Sequence, residues 1–468
     1  MRLCKKTGRV FCYAFTNPTR YDTIFFMRNI RQFGLVGHPL GHSLSPELHA
    51  FLFRKKNVSA EYRLCDLPAL QPHLFPHSGF NVTLPYKTQI LSFLQPSADA
   101  ARFGAINTVV AGENGFYGYN TDASAFLRCT AGRLGKNVLL LGSGGLASAL
   151  AVCILEQGCA LTVAARTFGE KERALSTRLN EAFPGRVRFV SYADLEKEGT
   201  RYDALCNATS CGMSPVLGCP VSSSVVKRCG FVFDAVYNPL QTELLRLAEE
   251  SGIPCENGVR MLALQATEAQ KLWLGVEFSA EEEASAAALV QKLLSAGHVV
   301  LTGFSGCGKS TLAKQFYGED LDVLTERMLG KSIAETFASD GEEAFRAAET
   351  QALERMLQGR TEVLALGGGT LERQKNRELL QRDIVVFVDT PWEECYRRIE
   401  GDVSRPLVCG KSKEELRLLY ETRRKTYLAA ADVVVKDDAA ERILRLKTLC
   451  QTAKENGSAS VGQKRETI

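Results

Sequence analysis

Two glycine-rich segments of different design interrupt this chain, and each stands where an apolar run gives way to a helical pattern. The first, Gly142, Ser143, Gly144, Gly145, Leu146, Ala147, follows the run at residues 138–141. The second, Gly303, Phe304, Ser305, Gly306, Cys307, Gly308, Lys309, Ser310, Thr311, follows the run at residues 299–301. A loop of this kind between a strand and a helix turns backbone N–H groups and the positive end of the helix toward an anion. The first matches G-x-G-x-x-G/A: Gly142 for the tight turn, Gly144 for close approach of a pyrophosphate, Ala147 for helix–strand packing. The second matches G-x-x-x-x-G-K-[ST], in which Lys309 reaches the terminal phosphates of a nucleotide and the Ser310 hydroxyl binds Mg²⁺. A chain that takes both a dinucleotide and a triphosphate reads as two joined enzymes.

At 468 residues the chain exceeds one hydrophobic core. It is 45% hydrophobic and 24% charged, ordinary globular material. No apolar run approaches the ~18 residues of a membrane span. The fifteen cysteines include no C-x-x-C pair, which argues against zinc ribbons and fits a reducing, cytoplasmic setting. His38 and His42 flank Pro39 and Gly41 in a loop without a completing ligand, so no metal is assigned to them. The net charge is +4, but residues 1–31 hold seven basic groups against Asp22 alone and so carry +6. The remainder carries −2, which leaves no electrostatic footprint for nucleic acid. That leader, expected to be disordered, has three readings: an organelle transit peptide, a disordered arm, or a start codon chosen upstream of Met27.

The fold class expected is α/β. Residues 32–130 and 255–278 read as one mixed strand–helix domain, with strands at 33–36, 61–64, 79–82 and 107–111. Residues 131–254 alternate strand and helix and read as a dinucleotide-binding parallel sheet, a Rossmann domain. A connector helix is expected over 279–297, a P-loop domain with a parallel sheet over 298–450, and a disordered tail over 451–468. After the second strand of the Rossmann unit, Arg166 and Thr167 stand where an acid would bind a ribose hydroxyl, with Lys171 nearby. Basic residues there favour a 2′-phosphate and hence NADP over NAD.

Residues 34–45 (GLVGHPLGHSLS), 79–87 (GFNVTLPYK), 104–110 (GAINTVV), 118–122 (GYNTD), 207–214 (NATSCGMS) and 257–265 (NGVRMLALQ) resemble shikimate dehydrogenase, block by block and in order. The resemblance covers about residues 33–276. It implies a substrate domain facing an NADP domain across a cleft. It further implies that Ser43 and Ser45 hold the substrate carboxylate and that Thr83, Asn107, Tyr237 and Gln265 hold ring hydroxyls and carboxylate. Lys87 and Asp122 become the acid–base pair. NADP contacts fall on Gly142, Gly144, Gly145, Leu146, Ala147, Arg166, Thr167, Lys171, Thr209 and Met213. Physics supports the acid–base pair separately, because hydride delivery to a ketone carbon builds negative charge on oxygen and calls for a proton donor. Read without the resemblance, Lys87 is equally a surface lysine and Asp122 part of a helix cap at Asn120, Thr121, Asp122.

Residues 298–437 resemble shikimate kinase through Asp320 and Asp322, residues 330–334 (GKSIA), 341–346 (GEEAFR), 366–369 (LGGG), 376–380 (NRELL), 405–407 (RPL) and 423–427. By that resemblance Ser310 and Asp320 serve Mg²⁺, and Asp322 binds the acceptor hydroxyl. Arg346 and Arg423 grip the shikimate carboxylate, while Gly367, Gly368 and Gly369 let backbone approach the ring. Arg405 acts from a lid, and Arg398 stacks on adenine. One departure stands out: nine residues separate Ser310 from Asp320. No apolar strand fits there, so the expectation is a sheet short of one strand, or a deletion, with Asp320 and Asp322 displaced from Lys309.

Together these readings imply NADPH-dependent reduction of 3-dehydroshikimate to shikimate, then MgATP-dependent phosphorylation of shikimate. The alternatives are a dehydrogenase joined to a non-catalytic kinase-like domain, a quinate dehydrogenase using NAD, and a non-enzymatic scaffold. The sequence leaves the oligomeric state open.

Overall fold

The computed structural model describes residues 30–41, 43–214, 216–401 and 411–462. The basic leader up to Asn29, His42, and Arg405 with its lid segment lie outside the described residues.

Three sheets organise the chain. The first has the order Ala60–Asp66, Arg31–Gly37, Gly79–Val82, Thr108–Gly112, Gly115–Tyr119, Gln95–Pro96. The three leading strands are parallel and the hairpin Thr108–Gly112 with Gly115–Tyr119 is antiparallel. The hairpin's second strand escaped the sequence reading because its two glycines dilute the apolar pattern. At Gly118 a Cβ would press on the side-chain ends of Ile106 and Leu94, at 2.3 and 2.6 Å.

The second sheet is wholly parallel: Cys255–Glu256, Val232–Asp234, Ala204–Asn207, Asn137–Leu141, Ala160–Ala165, Val187–Ser191. The chain fills it outward from Asn137–Leu141, first to one side and then to the other. The first glycine loop therefore leaves the sheet at its topological switch point, where open α/β sheets bind ligands.

The third sheet runs Glu319–Asp320, Val363–Ala365, Val299–Thr302, Ile384–Val388, Val433–Val435, all parallel. The expected loss of a strand is corrected here. Glu319–Asp320 pairs with Leu364 and Ala365. As an edge strand of two residues it needs no apolar run. The crossover that reaches it begins at Gly303, not Ser310, so residues 303–318 supply its length. Helix Lys309–Gln315 ends early, Tyr317 turns through φ 57, and Gly318 passes so close to the Val363 carbonyl that no side chain fits.

Two further expectations change. Helix Ala280–Ser295, read as a connector, buries Leu289, Val290, Leu293 and Leu294 in the same apolar cluster as Leu44, Leu48 and Leu52 before it and Val299, Val300 and Leu446 after it. Its heptad-like leucines made it a core element, not a spacer. The tail expected to be disordered is helical as far as Gly462, as the end of helix Ala439–Gly462, whose first half is anchored by buried Ile443, Leu446 and Leu449. Residues 463–468 lie outside the described residues.

Helix Ser45–Lys55 carries two polar groups, Glu47 and His49, deep in this packing. His49 is fully buried, with its ring stacked on Tyr62 at 4.2 Å and tilted against Trp273 at 5.2 Å. Burial lowers its pKa from 6.5 to about 3. Between those values the unfolded chain binds the proton more readily, so acidification through that window removes stability, by up to about 1.4 kcal/mol per pH unit. His49→Phe should flatten the acid side of the stability profile. Denaturation midpoints of the two proteins, taken from pH 7 down to 4.5, are expected to converge or cross. Parallel profiles would contradict a neutral buried imidazole.

Candidate active sites

Lys87 follows strand Gly79–Val82, and Asp122 lies in the first turn of helix Thr121–Thr130. Lys87 Nζ donates to Asp122 Oδ2 at 2.6 Å, with only 14% and 9% of the two side chains exposed. The turn before Asp122 shows why its carboxylate is free for this contact. Asn120 caps the helix, its Oδ1 accepting from Ala123 N at 3.0 Å, and Asn107 Oδ1 accepts from Thr121 N at 2.7 Å. Thr83 and Lys87 sit on one segment, with Thr83 N bonded to Val36 O. Ser43 Oγ donates to Ser45 Oγ at 3.2 Å and accepts from Ser45 N at 3.3 Å. Gln265 Nε2 donates to Leu262 O within helix Val259–Leu274, and Tyr237 is half-buried, with burial raising its pKa.

The first glycine loop arrives at the same place. Gly142 has φ +107, and a Cβ on it would come within 2.9 Å of Thr209 Cγ2. Gly144 precedes helix Gly145–Glu156 with no capping side chain and nothing within 4 Å of its Cβ position. Gly145 meets Lys87: a side chain there would lie 2.9 Å from Lys87 Cβ. The loop and the acid–base pair are therefore neighbours. Arg166, Thr167 and Lys171 stand exposed beyond the second strand, and Met213 lies in the turn after Thr209.

In the third sheet the loop after Val299–Thr302 takes left-handed backbone at Gly303, Gly306 and Gly308 (φ +152, +82 and +96). Arg398 Nη1 donates to Gly306 O at 2.9 Å, and Cys307 packs beneath Gly303. Lys309 is buried at the start of its helix, followed by Ser310 and Thr311. Ser310 and Asp320 line one cavity of about 350 Å³. Asp320 Oδ1 accepts from Asp322 N at 2.9 Å, and so orients helix Leu321–Leu329. The two aspartates are not displaced from the site. Asp322 Oδ1 would stand 2.6 Å from a Cβ on Gly367, Ser305 Oγ 3.5 Å from one on Gly368, and the Arg346 guanidinium 2.5 Å from one on Gly369. Arg423 Nη1 lies at the same glycines, 3.6 Å from that Gly368 position. Gly367 and Gly369 are thus hemmed by Asp322 and Arg346, while a Cβ on Gly368 would stand at ordinary contact distance from Ser305 and Arg423.

Two comparisons define the relationship of the first 280 residues. The chain is 36% identical over 263 residues to the shikimate dehydrogenase (NADP(+)) of Caldanaerobacter subterraneus subsp. tengcongensis, across 53% of this chain and 92% of that protein. It is 37% identical over 270 residues to the shikimate dehydrogenase (NADP(+)) of Thermus thermophilus, across 55% of this chain and 98% of that protein. The chain belongs to the shikimate dehydrogenase family. The family model of the shikimate dehydrogenase substrate binding domain matches residues 35–109, and that of shikimate kinase matches residues 305–454. A chorismate mutase/shikimate 5-dehydrogenase fusion protein from Clostridium acetobutylicum superposes with a TM-score of 0.51 at 28% identity, covering 56% of this chain and 98% of that one.

The cofactors that such a fusion implies suit both loops. A pyrophosphate fits the uncapped helix at Gly144, where a Cβ would find open space, and a magnesium nucleotide fits the left-handed cradle above Lys309. Two carboxylates in this chain escaped the sequence reading. Glu172 accepts from Ser143 Oγ at 2.6 Å and Gly169 N at 3.0 Å, pinning the dinucleotide loop to the helix beyond the second strand. The Ser143 bond holds its pKa below the usual range. Its one local signal is its place three residues after the helix-opening Gly169. Glu372 bonds Arg423 through two nitrogens at 2.9 and 3.1 Å and lies 3.7 Å from Arg346. It bridges the two arginines that sequence reading reserved for a substrate carboxylate, and nothing in its local sequence signals that. Among the described residues no helix is long and apolar enough to cross a membrane.

Proposed function

We propose that this chain reduces 3-dehydroshikimate to shikimate with NADPH in its first unit and phosphorylates shikimate at the 3-hydroxyl with MgATP in its second. The buried Lys87–Asp122 pair beside the dinucleotide loop carries the first half of that reading. NADPH supplies hydride when bound. Lys87 donates its proton to the ring oxygen as charge grows there, and Asp122 keeps the ammonium aimed. Ser43, Ser45, Thr83, Asn107, Tyr237 and Gln265 hold the ring and its carboxylate. Arg166, Thr167 and Lys171 take the 2′-phosphate, with Gly142, Leu146, Ala147, Thr209 and Met213 around the dinucleotide.

In the second unit Asp322 positions the acceptor hydroxyl, while Arg346 and Arg423 hold the ring carboxylate in planar fork geometry. Lys309 and Arg405 stabilise charge on the transferred phosphoryl group, and Arg398 lies against the adenine side. Magnesium, held by Ser310 and through water by Asp320, neutralises phosphate charge when bound. Free thiols such as Cys153 and Cys395 support a reducing compartment such as the cytoplasm.

Lys87→Met should lower kcat for NADP⁺-linked shikimate oxidation by about 10²–10⁴-fold in protein that remains folded at the assay temperature. Turnover within twofold of the parent would remove Lys87 from the chemistry. For the second unit, shikimate-dependent ADP release that disappears in Lys309→Ala is the expected result; no release from the folded parent protein favours a non-catalytic domain instead. Glu372 competes with the ring carboxylate for Arg346 and Arg423. Glu372→Gln is therefore expected to lower the shikimate KM of phosphorylation severalfold. A raised KM would show that Glu372 helps to hold the arginines for the substrate.

A further inference from the structure

The last helix, Ala439–Gly462, begins inside the region matched by the kinase family, yet one of its side chains serves the other unit. Arg445 Nη2 donates to the backbone carbonyl of Ser43, and the same nitrogen lies 3.2 Å from Glu47 Oε2. Glu47 is 1% exposed, so this ion pair is formed out of water, where removal of one partner is costly. Arg445 Nε and Glu47 Oε2 are both buried without a hydrogen-bond partner among the described residues, so the pair is held by charge and by the Ser43 carbonyl. Ser43 is one of the two hydroxyl residues that bond one another at the head of helix Ser45–Lys55. The charge of Arg445 also reaches Tyr237, where it opposes the effect of burial on the phenol.

The far end of that helix is tied to the same unit. Arg54 Nη2 donates to Ala431 O at 3.2 Å and Asp432 O at 2.7 Å. Between the two arginine contacts, Leu44, Leu48 and Leu52 lie in one apolar cluster with Ile443, Leu446 and Leu449. The helix is clamped at both ends and packed along its length. Its position, and with it that of the Ser43 backbone, is shared between its own unit and these residues of the kinase-like unit.

Resting on the dehydrogenase reading above, we propose that Arg445 is a positioning residue for the shikimate carboxylate in the first active site, supplied by the second unit. It fixes the Ser43 backbone and Glu47 so that the two hydroxyls are held ready for the carboxylate. Loss of a charge-assisted bond of this kind is felt in substrate affinity, not in the hydride or proton steps.

The test uses the full chain and NADP⁺-linked shikimate oxidation. Arg445→Met should raise the shikimate KM about tenfold or more, with kcat and the NADP⁺ KM within about twofold of the parent. Arg445→Lys, which keeps charge but loses the fork, should fall between. An unchanged shikimate KM in Arg445→Met overturns the proposal, as does a joint fall of kcat and loss of affinity for both ligands. If Arg445→Met does not fold, Arg445→Lys alone decides, an unchanged shikimate KM again overturning it. A parent protein that fails to oxidise shikimate would instead sink the dehydrogenase reading.

Discussion

A single apolar seam holds the two units together. Helix Ser45–Lys55 from the first, helix Ala280–Ser295 between them and helix Ala439–Gly462 from the second converge on the sheet that carries the Walker loop. Leu44, Leu48, Leu52, Leu293 and Leu446 are essentially inaccessible to solvent, each contributing about 1.5–3 kcal/mol by burial. Polar contacts fix the register of the seam: Lys292 with Asp432 at 2.6 Å, Lys56 with Glu282 at 2.6 Å, and Arg54 with the carbonyls at 431 and 432. A seam with a continuous leucine core resembles a domain interior more than a transient contact. The orientation of the two active sites is therefore a property of the folded chain and not of a flexible tether.

In the proposed reading, the two sites grasp an anionic ring by different chemistry. Near the amino end the donors are hydroxyls and amides, with Lys87 reserved for the proton and paired to Asp122. In the second unit they are guanidinium groups, Arg346 and Arg423, already bridged by Glu372. A hydroxyl site binds a carboxylate modestly and lets the reduced product leave. A site built from two arginines binds more strongly, and an internal carboxylate moderates that strength. Such an ordering suits a product that passes from one site to the next.

Much of this was legible in the sequence, for identifiable reasons. The glycine loops, the parallel strands and helix Val259–Leu274 follow from local rules, since backbone freedom and apolar periodicity are written in neighbouring residues. The pairing of Lys87 with Asp122 came from motif resemblance, because no spacing rule joins residues 35 positions apart. Strand Glu319–Asp320 was hidden because an edge strand of two residues carries no pattern, and only the tight passage of Gly318 reveals it afterwards. Helix Ala280–Ser295 looked like a spacer because its alanines and glutamates suit an exposed helix as well as a packed one. Glu172, Glu372 and Arg445 were invisible for a common reason. Each matters through a partner that only the tertiary fold brings near.

The most direct measurement of the account is one reaction containing the full chain, 3-dehydroshikimate, NADPH and MgATP, followed by mass spectrometry of the ring acid alongside both nucleotides. The account predicts that each ring gains two hydrogens and one phosphoryl group, with one NADPH oxidised and one ADP formed. A ring acid that ends as shikimate with no ADP formed, or that is never reduced while NADPH stays constant, would contradict it.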